Sequence, residues 1–134
     1  MTFGKLRFET KREGEYELLR FCSTGNVIGG FSKLLTHFIR IHSPVRIISY
    51  SDKRWSVGGV YSKNGFKHTK TSPPGYFWCK GQKRYSRVLF QRHKLDEIFK
   101  ESFPKEMTEV EIMYSKKYYK ILDCGQDKWE WINS

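Results

Sequence analysis

The stretch RIISYSDKRWSVGGVYSKNGF, residues 46–66, contains the elements that decide the fold. Its Ile-Ile pair belongs to the most strand-like run of the chain, 45–51, which we expect to be a central strand. Two glycines then precede a short amphipathic segment, and the Asn-Gly pair at 64–65 is a typical helix end. The polar and aromatic turn between strand and helix has three open interpretations: a reaction centre, a nucleic-acid contact, or an ordinary connection.

The segment before this strand predicts an amphipathic helix. A glycine-rich loop, 23–30, leads into it, and Pro44 forces an extended backbone after it. The order strand, loop, helix, strand, short helix, strand indicates an α/β fold. The apolar residues recur at the spacing of one helix face: Phe31, Leu34, Leu35, Phe38 and Ile39.

The remaining segments predict more strands and helices within a single domain of residues 1–134. Thr108 followed by Glu111 is a capping box, which indicates a helix start. The predicted elements are a hairpin of 1–8 and 16–22, an aromatic strand within 73–82, a strand at 85–95 leading into a helix at 94–101, a helix after Thr108, and a strand pair of 118–125 and 128–133 around Gly125.

Charge is the strongest compositional bias. The chain has 25 lysine and arginine residues against 14 acidic ones, a net charge of +11 and a pI near 9.7. Such a surface attracts polyanions, and the basic residues alternate with tyrosine, tryptophan and phenylalanine. Nucleic acid is therefore the expected partner, ahead of anionic cofactors and acidic membranes, and a basic surface that only aids solubility is the alternative.

The cysteines and the lack of a membrane span or signal pattern indicate a cytoplasm-like compartment. No window approaches the ~20 apolar residues of a membrane span, and the N-terminus lacks a signal pattern, so we expect no membrane association. The 3 cysteines are widely spaced and the 4 histidines form no ligand motif, so we expect reduced thiols and no metal site. The chain also lacks the GIY-YIG, His-Asn-His and LAGLIDADG nuclease motifs and a placeable Ser/His/Asp triad.

The glycine-rich loop is the first candidate binding element. Gly29 and Gly30 open the helix, with Asn26 ahead of them. Glycines let the backbone approach a phosphate, which the free N–H groups and the helix dipole then bind. The spacing fits neither a Walker loop nor G-x-G-x-x-G, so a tight strand-to-helix turn stays an equal alternative.

The turn after the central strand is the second candidate. Asp52 can act as a base, Arg54 can hold phosphate and Trp55 can stack on a base. In the alternative interpretation Asp52 caps the turn, Arg54 pairs with it and Trp55 lies in the core. Tyr61, in the short helix, is either a proton donor to a leaving group or a core tyrosine.

A basic and aromatic band forms the third candidate, an expected nucleic-acid face whose alternative is a solvated strand face. The candidate nucleic-acid contacts in this band are Tyr76, Trp78, Lys80, Lys83, Arg84 and Arg87. The band also contains Phe77, Tyr85, Arg92 and Lys94. Two further candidate contacts lie in the turn after the central strand, Arg54 and Trp55.

The runs NVIGGFSKLL and IISYSD…GGVYSKNGF resemble the GNAT N-acyltransferase superfamily over about residues 16–70. The resemblance implies a mixed, largely antiparallel sheet with helices on both faces, and acetyl-CoA or a related acyl-CoA as the donor. It implies that Tyr61 protonates the departing thiolate and that Ser49, Tyr50 and Asp52 face the acceptor. The implied donor cradle consists of Ile28, Gly29, Gly30, Phe31, Ser32 and Lys33.

Nearly the whole chain also resembles a bacteriophage domain that is often described as homing-endonuclease-like, and its SY-x-D…G-x-x-Y core is similar to the phage Mom-type enzymes that modify adenine in DNA. This resemblance implies a DNA-modifying transferase in the cytoplasm of an infected bacterial host. The alternative is a non-catalytic DNA-binding domain. Phe31, which stands where GNAT proteins carry a small residue, favours that alternative, as does a start later than in the GNAT fold.

Overall fold

The computed structural model describes residues 1–134, which form two compact units. The first unit comprises Met1–Pro73 and Cys124–Ser134, and the second comprises Pro74–Asp123. Each unit has its own sheet and its own apolar cluster. The architecture is mixed α and β with mostly antiparallel strand pairs, which confirms the predicted fold class.

The first unit is built on a five-stranded sheet. Its strands, in order across the sheet, are β1 (Thr2–Gly4), β2 (Glu15–Arg20), β3 (Arg46–Asp52), β8 (Gln126–Ile132) and β4 (Lys67–Thr71). β3 is the middle strand, which confirms the prediction for 45–51. β2 and β3 run parallel, whereas every other neighbouring pair is antiparallel. The helices of this unit are α1 (Gly30–His42) and α2 (Gly59–Ser62).

Both helices of the first unit pack on one face of this sheet, so the expectation of helices on both faces is wrong for it. The α1 side chains of Phe31 and Leu35 are buried against Leu18 and Ile47 of the strands, which confirms the predicted helix. Leu34, from the same predicted apolar face, is exposed instead, because the buried stripe of the helix is narrower than its apolar pattern.

The close packing of α2 on the sheet depends on one glycine. Gly58 has φ +74°, and a Cβ on it would lie 1.9 Å from Cζ2 of Trp129. Only glycine gives both the left-handed backbone and the space for this approach. The contact fixes the first turn of α2 and therefore the position of Tyr61.

The second unit combines a three-stranded antiparallel sheet with two helices. The strands, in order across the sheet, are β6 (Lys83–Ser86), β5 (Tyr76–Lys80) and β7 (Tyr119–Leu122). The capping box of Thr108 and Glu111 is present and confirms that helix start. The core contains Trp78, Leu95 and Ile112, all fully buried. The helical elements of this unit are a 3₁₀ turn (Arg87–Phe90), α3 (Arg92–Phe99) and α4 (Glu109–Ser115).

Three sequence predictions differ from the structure in extent or pairing. The strand predicted at 1–8 ends at Gly4, and the strand predicted at 85–95 stops at Ser86 and gives way to the 3₁₀ turn. The closing segments do not pair with each other: β7 pairs with β5 of the second unit, whereas β8 pairs with β3 and β4. β8 instead aligns all of its seven residues with β3.

Candidate functional site

The predicted site residues of β3 point to opposite faces of the sheet, because successive strand residues alternate. Ser49 is buried on the helix-covered face, next to Tyr61. Tyr50 and Asp52 have the other parity, and Tyr50 packs edge-on to Phe8 instead. The structure thus brings Ser49 and Tyr61 together, and it separates both of them from Tyr50 and Asp52.

Ser49 and Tyr61 form a short chain of hydrogen bonds. The Ser49 Oγ lies 2.9 Å from the Leu18 carbonyl oxygen and 3.0 Å from the Tyr61 hydroxyl. A carbonyl only accepts, so both bonds form when Ser49 donates to Leu18 and Tyr61 donates to Ser49. Phe31 and Trp129 pack against the tyrosine ring. This arrangement directs the Tyr61 proton toward the sheet.

The glycine-rich loop borders an open cleft of about 600 Å³ at the start of α1. Gly29 caps the helix in a left-handed conformation, with φ 70° and no side-chain capping bond. The backbone amides of Phe31 and Ser32 therefore donate no hydrogen bond within the chain. These free amides and Lys63, which also lines the cleft, are groups that can hold an anion.

The six cradle residues have different environments. Ile28 is 92% exposed, whereas the Phe31 ring is buried in the core and leaves the loop backbone accessible. The Ser32 hydroxyl donates to the Gly29 carbonyl at 3.1 Å, and Lys33 is exposed on the first helical turn. Tyr61 does not line this cleft. The predicted proton donor and the predicted donor cradle are thus separate features, although Phe31 contributes to both.

The turn after β3, residues 53–55, presents the aromatic ring of Trp55 to solvent. We call it the Trp55 turn. The Asp52 carboxylate accepts from the Arg54 amide at 2.8 Å, which confirms that Asp52 caps the turn. The Arg54 guanidinium pairs loosely with that carboxylate, at 3.6 Å, and lies 4.8 Å from the centre of the Trp55 ring. Trp55 is 77% exposed, so the alternative that placed it in the core is wrong. An exposed ring beside a guanidinium can stack on a nucleobase.

The basic band of the second unit consists of exposed cations around a buried tryptophan. Trp78 is fully buried and donates from Nε1 to Glu109 at 3.1 Å, so it is a core residue and offers no face to a base. The Tyr76 hydroxyl donates to the same carboxylate at 2.9 Å. The exposed members are Lys80, Lys83, Arg84 and Arg87.

Three of these cations are held against aromatic rings, and the Lys80 Nζ lies 4.8 Å from the centre of the Tyr118 ring. The Arg84 guanidinium lies 4.6 Å from the centre of the Phe77 ring, and that of Arg87 lies 5.5 Å from the Tyr76 ring. Lys80 and Lys83 flank the tight turn of the β5–β6 hairpin at Gly81. β6 is an outer strand of the three-stranded sheet, so Lys83 and Arg84 lie at one edge of it beside the turn that also carries Lys80; we call these three residues the hairpin edge.

A charged network on the other face of the first sheet was missed by the sequence analysis. Glu130 accepts from Arg46 and from Lys128, each at 2.9 Å, and Glu9 bonds to the same two cations. Hydrogen bonds from Arg46 lower the pKa of Glu130 to about 2. The alternation of charge and tryptophan in 126–132 is the sequence signal that could have revealed this face.

No group of three or more histidine, cysteine, aspartate or glutamate side chains is placed to hold a metal ion. No helix has the length and apolar character needed to cross a membrane.

The comparisons with known proteins add no family. No protein-family model matches the chain, and no curated protein is significantly similar to it. The GNAT and phage-domain resemblances consequently rest on the quoted motifs alone. The geometry of the Trp55 turn, the α1 cleft and the hairpin edge is the basis for a functional proposal.

Proposed function

We propose that the protein binds nucleic acid, with DNA as its target and the Trp55 turn as a contact. The observation that carries this proposal is the exposure of Trp55, which is 77% accessible to solvent, beside the guanidinium of Arg54. An accessible indole beside a guanidinium can stack on a base, and such stacking contributes about 1–3 kcal/mol.

The distribution of charge supports the same proposal. In the first unit, the carboxylates of Glu9, Glu17 and Glu130 are bound to Arg7, Arg46 and Lys128. The pairing leaves a surplus of exposed, unpaired cations, which is what the sugar-phosphate backbone attracts. These cations are Lys53, Lys63, Lys67 and Lys70 in the first unit and Lys80, Lys83, Arg84 and Arg87 in the second.

The test is the affinity of the full chain for labelled DNA, measured by fluorescence anisotropy. Trp55→Ala is expected to weaken binding about tenfold or more, from the loss of about 1–3 kcal/mol of stacking. Val57→Ala is the matched control, because Val57 lies two residues on and is 92% exposed. Equal weakening by both variants, or by neither, contradicts a stacking role for Trp55.

Intrinsic fluorescence gives an independent readout of the same contact. The other tryptophans are buried or half-buried, namely Trp78, Trp129 and Trp131. Iodide should therefore quench mainly Trp55, and bound DNA should protect it. Unchanged iodide quenching with DNA bound would place the DNA elsewhere.

A second candidate is acyl transfer to a DNA base, with acyl-CoA as donor, as the GNAT and Mom-type resemblances imply. The observation that favours it is the cleft at the start of α1, where the amides of Phe31 and Ser32 are free and Lys63 is nearby. A pyrophosphate fits such a combination of amides and cation. By this proposal the protein acts in the cytoplasm of an infected bacterial host.

Thermal unfolding with acetyl-CoA separates the two candidates. A ligand at about 100 times its Kd stabilises the folded state by about 2.7 kcal/mol. Dephospho-CoA and desulfo-CoA serve as controls for the phosphate and the thiol. A rise in Tm with acetyl-CoA supports a donor site, whereas no rise together with salt-sensitive DNA binding leaves the non-catalytic DNA-binding function.

A further inference from the structure

The first unit has a second concave site, on the sheet face opposite Tyr61. It is a cavity of about 440 Å³, within the range of pockets that hold small molecules. Residues that are far apart in sequence meet there, from the segment after β1, from β3, from β4 and from β8. Its lining is Phe8, Glu9, Tyr50, Lys70, Ser72, Gln126 and Lys128.

The pocket has aromatic walls. The rings of Phe8 and Tyr50 meet edge-on, with centroids 6.0 Å apart and an interplanar angle of 86°. Phe8 is 73% exposed, so most of its ring surface is free to cover a ligand. Two perpendicular rings of this kind accommodate a flat heterocycle, which packs face-on to one ring and edge-on to the other.

Several polar groups in the pocket have no partner within the protein. The Tyr50 hydroxyl makes no hydrogen bond, and burial raises the pKa of Tyr50, which keeps the hydroxyl protonated as a donor. Lys70 has no ion pair, and the side-chain amide of Gln126 forms no hydrogen bond. Arg46 and Lys128 offset part of the negative charge of Glu9, although both cations are shared with Glu130 and Arg46 is also shared with Glu15. The site thus combines a hydroxyl, an amide and a free cation around two rings.

We propose that this pocket binds one nucleotide unit. The base lies against Phe8 and Tyr50, the amide of Gln126 contacts its polar edge, and Lys70 binds the phosphate. An amide can donate and accept at once, which suits the edge of a nucleobase. This proposal rests on the nucleic-acid function and adds a binding site for an unpaired base to it.

The pocket and the Trp55 turn are joined through the sheet. Asp52, which caps that turn, lies directly opposite Gln126 in the β3–β8 register. The amide of Lys53 donates to the carbonyl of Gly125 at 3.2 Å, next to Gln126 in the chain. A DNA strand that stacks one base on Trp55 therefore passes close to the pocket. An unpaired nucleotide next to that base can enter the pocket.

Free mononucleotides and unpaired nucleotides within DNA share this chemistry, and calorimetry distinguishes them. The full chain is titrated with deoxynucleoside monophosphates, with the matching deoxynucleosides, and with a duplex that carries either one unpaired nucleotide or an abasic residue at the same place. We expect the monophosphate to bind more tightly than the deoxynucleoside by about tenfold, since the phosphate adds one charge-assisted contact of about 1.5 kcal/mol or more.

Two variants assign the binding to this pocket. Lys70→Met should weaken monophosphate binding to the level of the deoxynucleoside, whereas Lys67→Met, an exposed lysine of the same strand, should leave it unchanged. Tyr50→Phe removes only the free hydroxyl and keeps the ring, so it should fold normally and bind a few-fold more weakly. Circular dichroism confirms that each variant is folded.

The outcomes separate this proposal from the general function. Duplex binding that depends on Trp55, with no monophosphate binding and no preference for the unpaired nucleotide over the abasic residue, overturns the pocket and leaves the DNA-binding function intact. Monophosphate binding that Lys70→Met abolishes, with no binding to any DNA, overturns the DNA-binding function and leaves a free-nucleotide site. Equal effects of Lys67→Met and Lys70→Met overturn the assignment to this pocket.

Discussion

The Tyr61 hydroxyl lies 3.0 Å from Ser49 Oγ, and Ser49 in turn reaches the carbonyl oxygen of Leu18 at 2.9 Å. This chain joins α2 to two strands of the sheet beneath it. The GNAT resemblance assigns Tyr61 the role of a general acid. In the structure the Tyr61 hydroxyl donates a hydrogen bond to Ser49. A structural role and a catalytic role of Tyr61 therefore make different predictions for the substitution Tyr61→Phe.

Tyr61→Phe is expected to lower the free energy of unfolding by about 1 kcal/mol, the typical contribution of one hydrogen bond. Ser49→Ala should cost at least as much, because it leaves the Tyr61 hydroxyl without its acceptor. The double variant should cost less than the sum of the single ones, since both remove the same bond. Urea denaturation of the three variants measures these values, and strictly additive effects would show that the bond contributes nothing.

Turnover is the readout that a purely structural role does not change. If acyl transfer from acyl-CoA is detected, a general acid at Tyr61 requires Tyr61→Phe to reduce kcat by about 10²-fold or more. Acetyl-CoA affinity should stay the same, because Tyr61 does not line the cleft. Wild-type kcat in the folded variant excludes the general-acid role for Tyr61.

The core of the first unit was predictable because its signals are local. An Ile-Ile pair in β3 and the apolar spacing of α1 determine which surfaces are buried. The same holds for Thr108 and Glu111, whose capping box depends on a spacing of three residues. In these segments local preference and tertiary packing agree, and prediction and structure coincide.

The candidate sites were harder to predict because they depend on contacts between distant segments. The sequence made both Trp55 and Trp78 candidates for nucleic-acid contact, yet one is exposed and the other fully buried. Trp78 is buried because its strand face is covered by the helices of the second unit, which strand alternation alone does not reveal. The nucleotide pocket joins positions as far apart as Phe8 and Lys128, and no local pattern indicates it.

Gly58→Ala is expected to destabilise the protein by about 3 kcal/mol or more, since it combines a steric clash with a strained left-handed backbone. The clash arises because the new Cβ would lie 1.9 Å from a ring carbon of Trp129. Gly59→Ala is the matched control, because a Cβ at Gly59 meets nothing within 4 Å and its φ is not positive. It should be neutral or stabilise α2 by up to about 1 kcal/mol. Thermal unfolding of both variants checks this, and equal Tm values contradict the packing argument.

The hairpin edge of the second unit should govern the salt dependence of DNA binding. Each lysine that contacts a phosphate contributes about 0.9 to the slope of log affinity against log salt. Lys80→Gln combined with Lys83→Gln should therefore reduce the slope by about 2 if both contact phosphates. Lys105→Gln combined with Lys117→Gln removes the same charge from exposed positions outside the hairpin. Anisotropy titrations at several salt concentrations compare the two, and equal slopes would reject the hairpin as a binding edge.

The charged network of the first sheet predicts a loss of stability in acid. Hydrogen bonds from Arg46 and Lys128 hold the pKa of Glu130 at about 2, well below its ordinary value of 4.5. Between these pH values the unfolded chain binds more protons than the folded one, so stability falls as pH falls, by an amount on the order of 3 kcal/mol. The same two cations lower the pKa of Glu9, which adds to the effect.

Glu130→Gln isolates this contribution. The glutamine is nearly isosteric and does not titrate, so the variant should be less stable than the wild type at neutral pH and should approach it as the pH drops from 4.5 toward 2. Glu106→Gln is the control, because Glu106 is exposed and forms no ion pair. Urea midpoints measured across this pH range decide the matter: parallel wild-type and Glu130→Gln curves would show that Glu130 keeps an ordinary pKa in the folded protein.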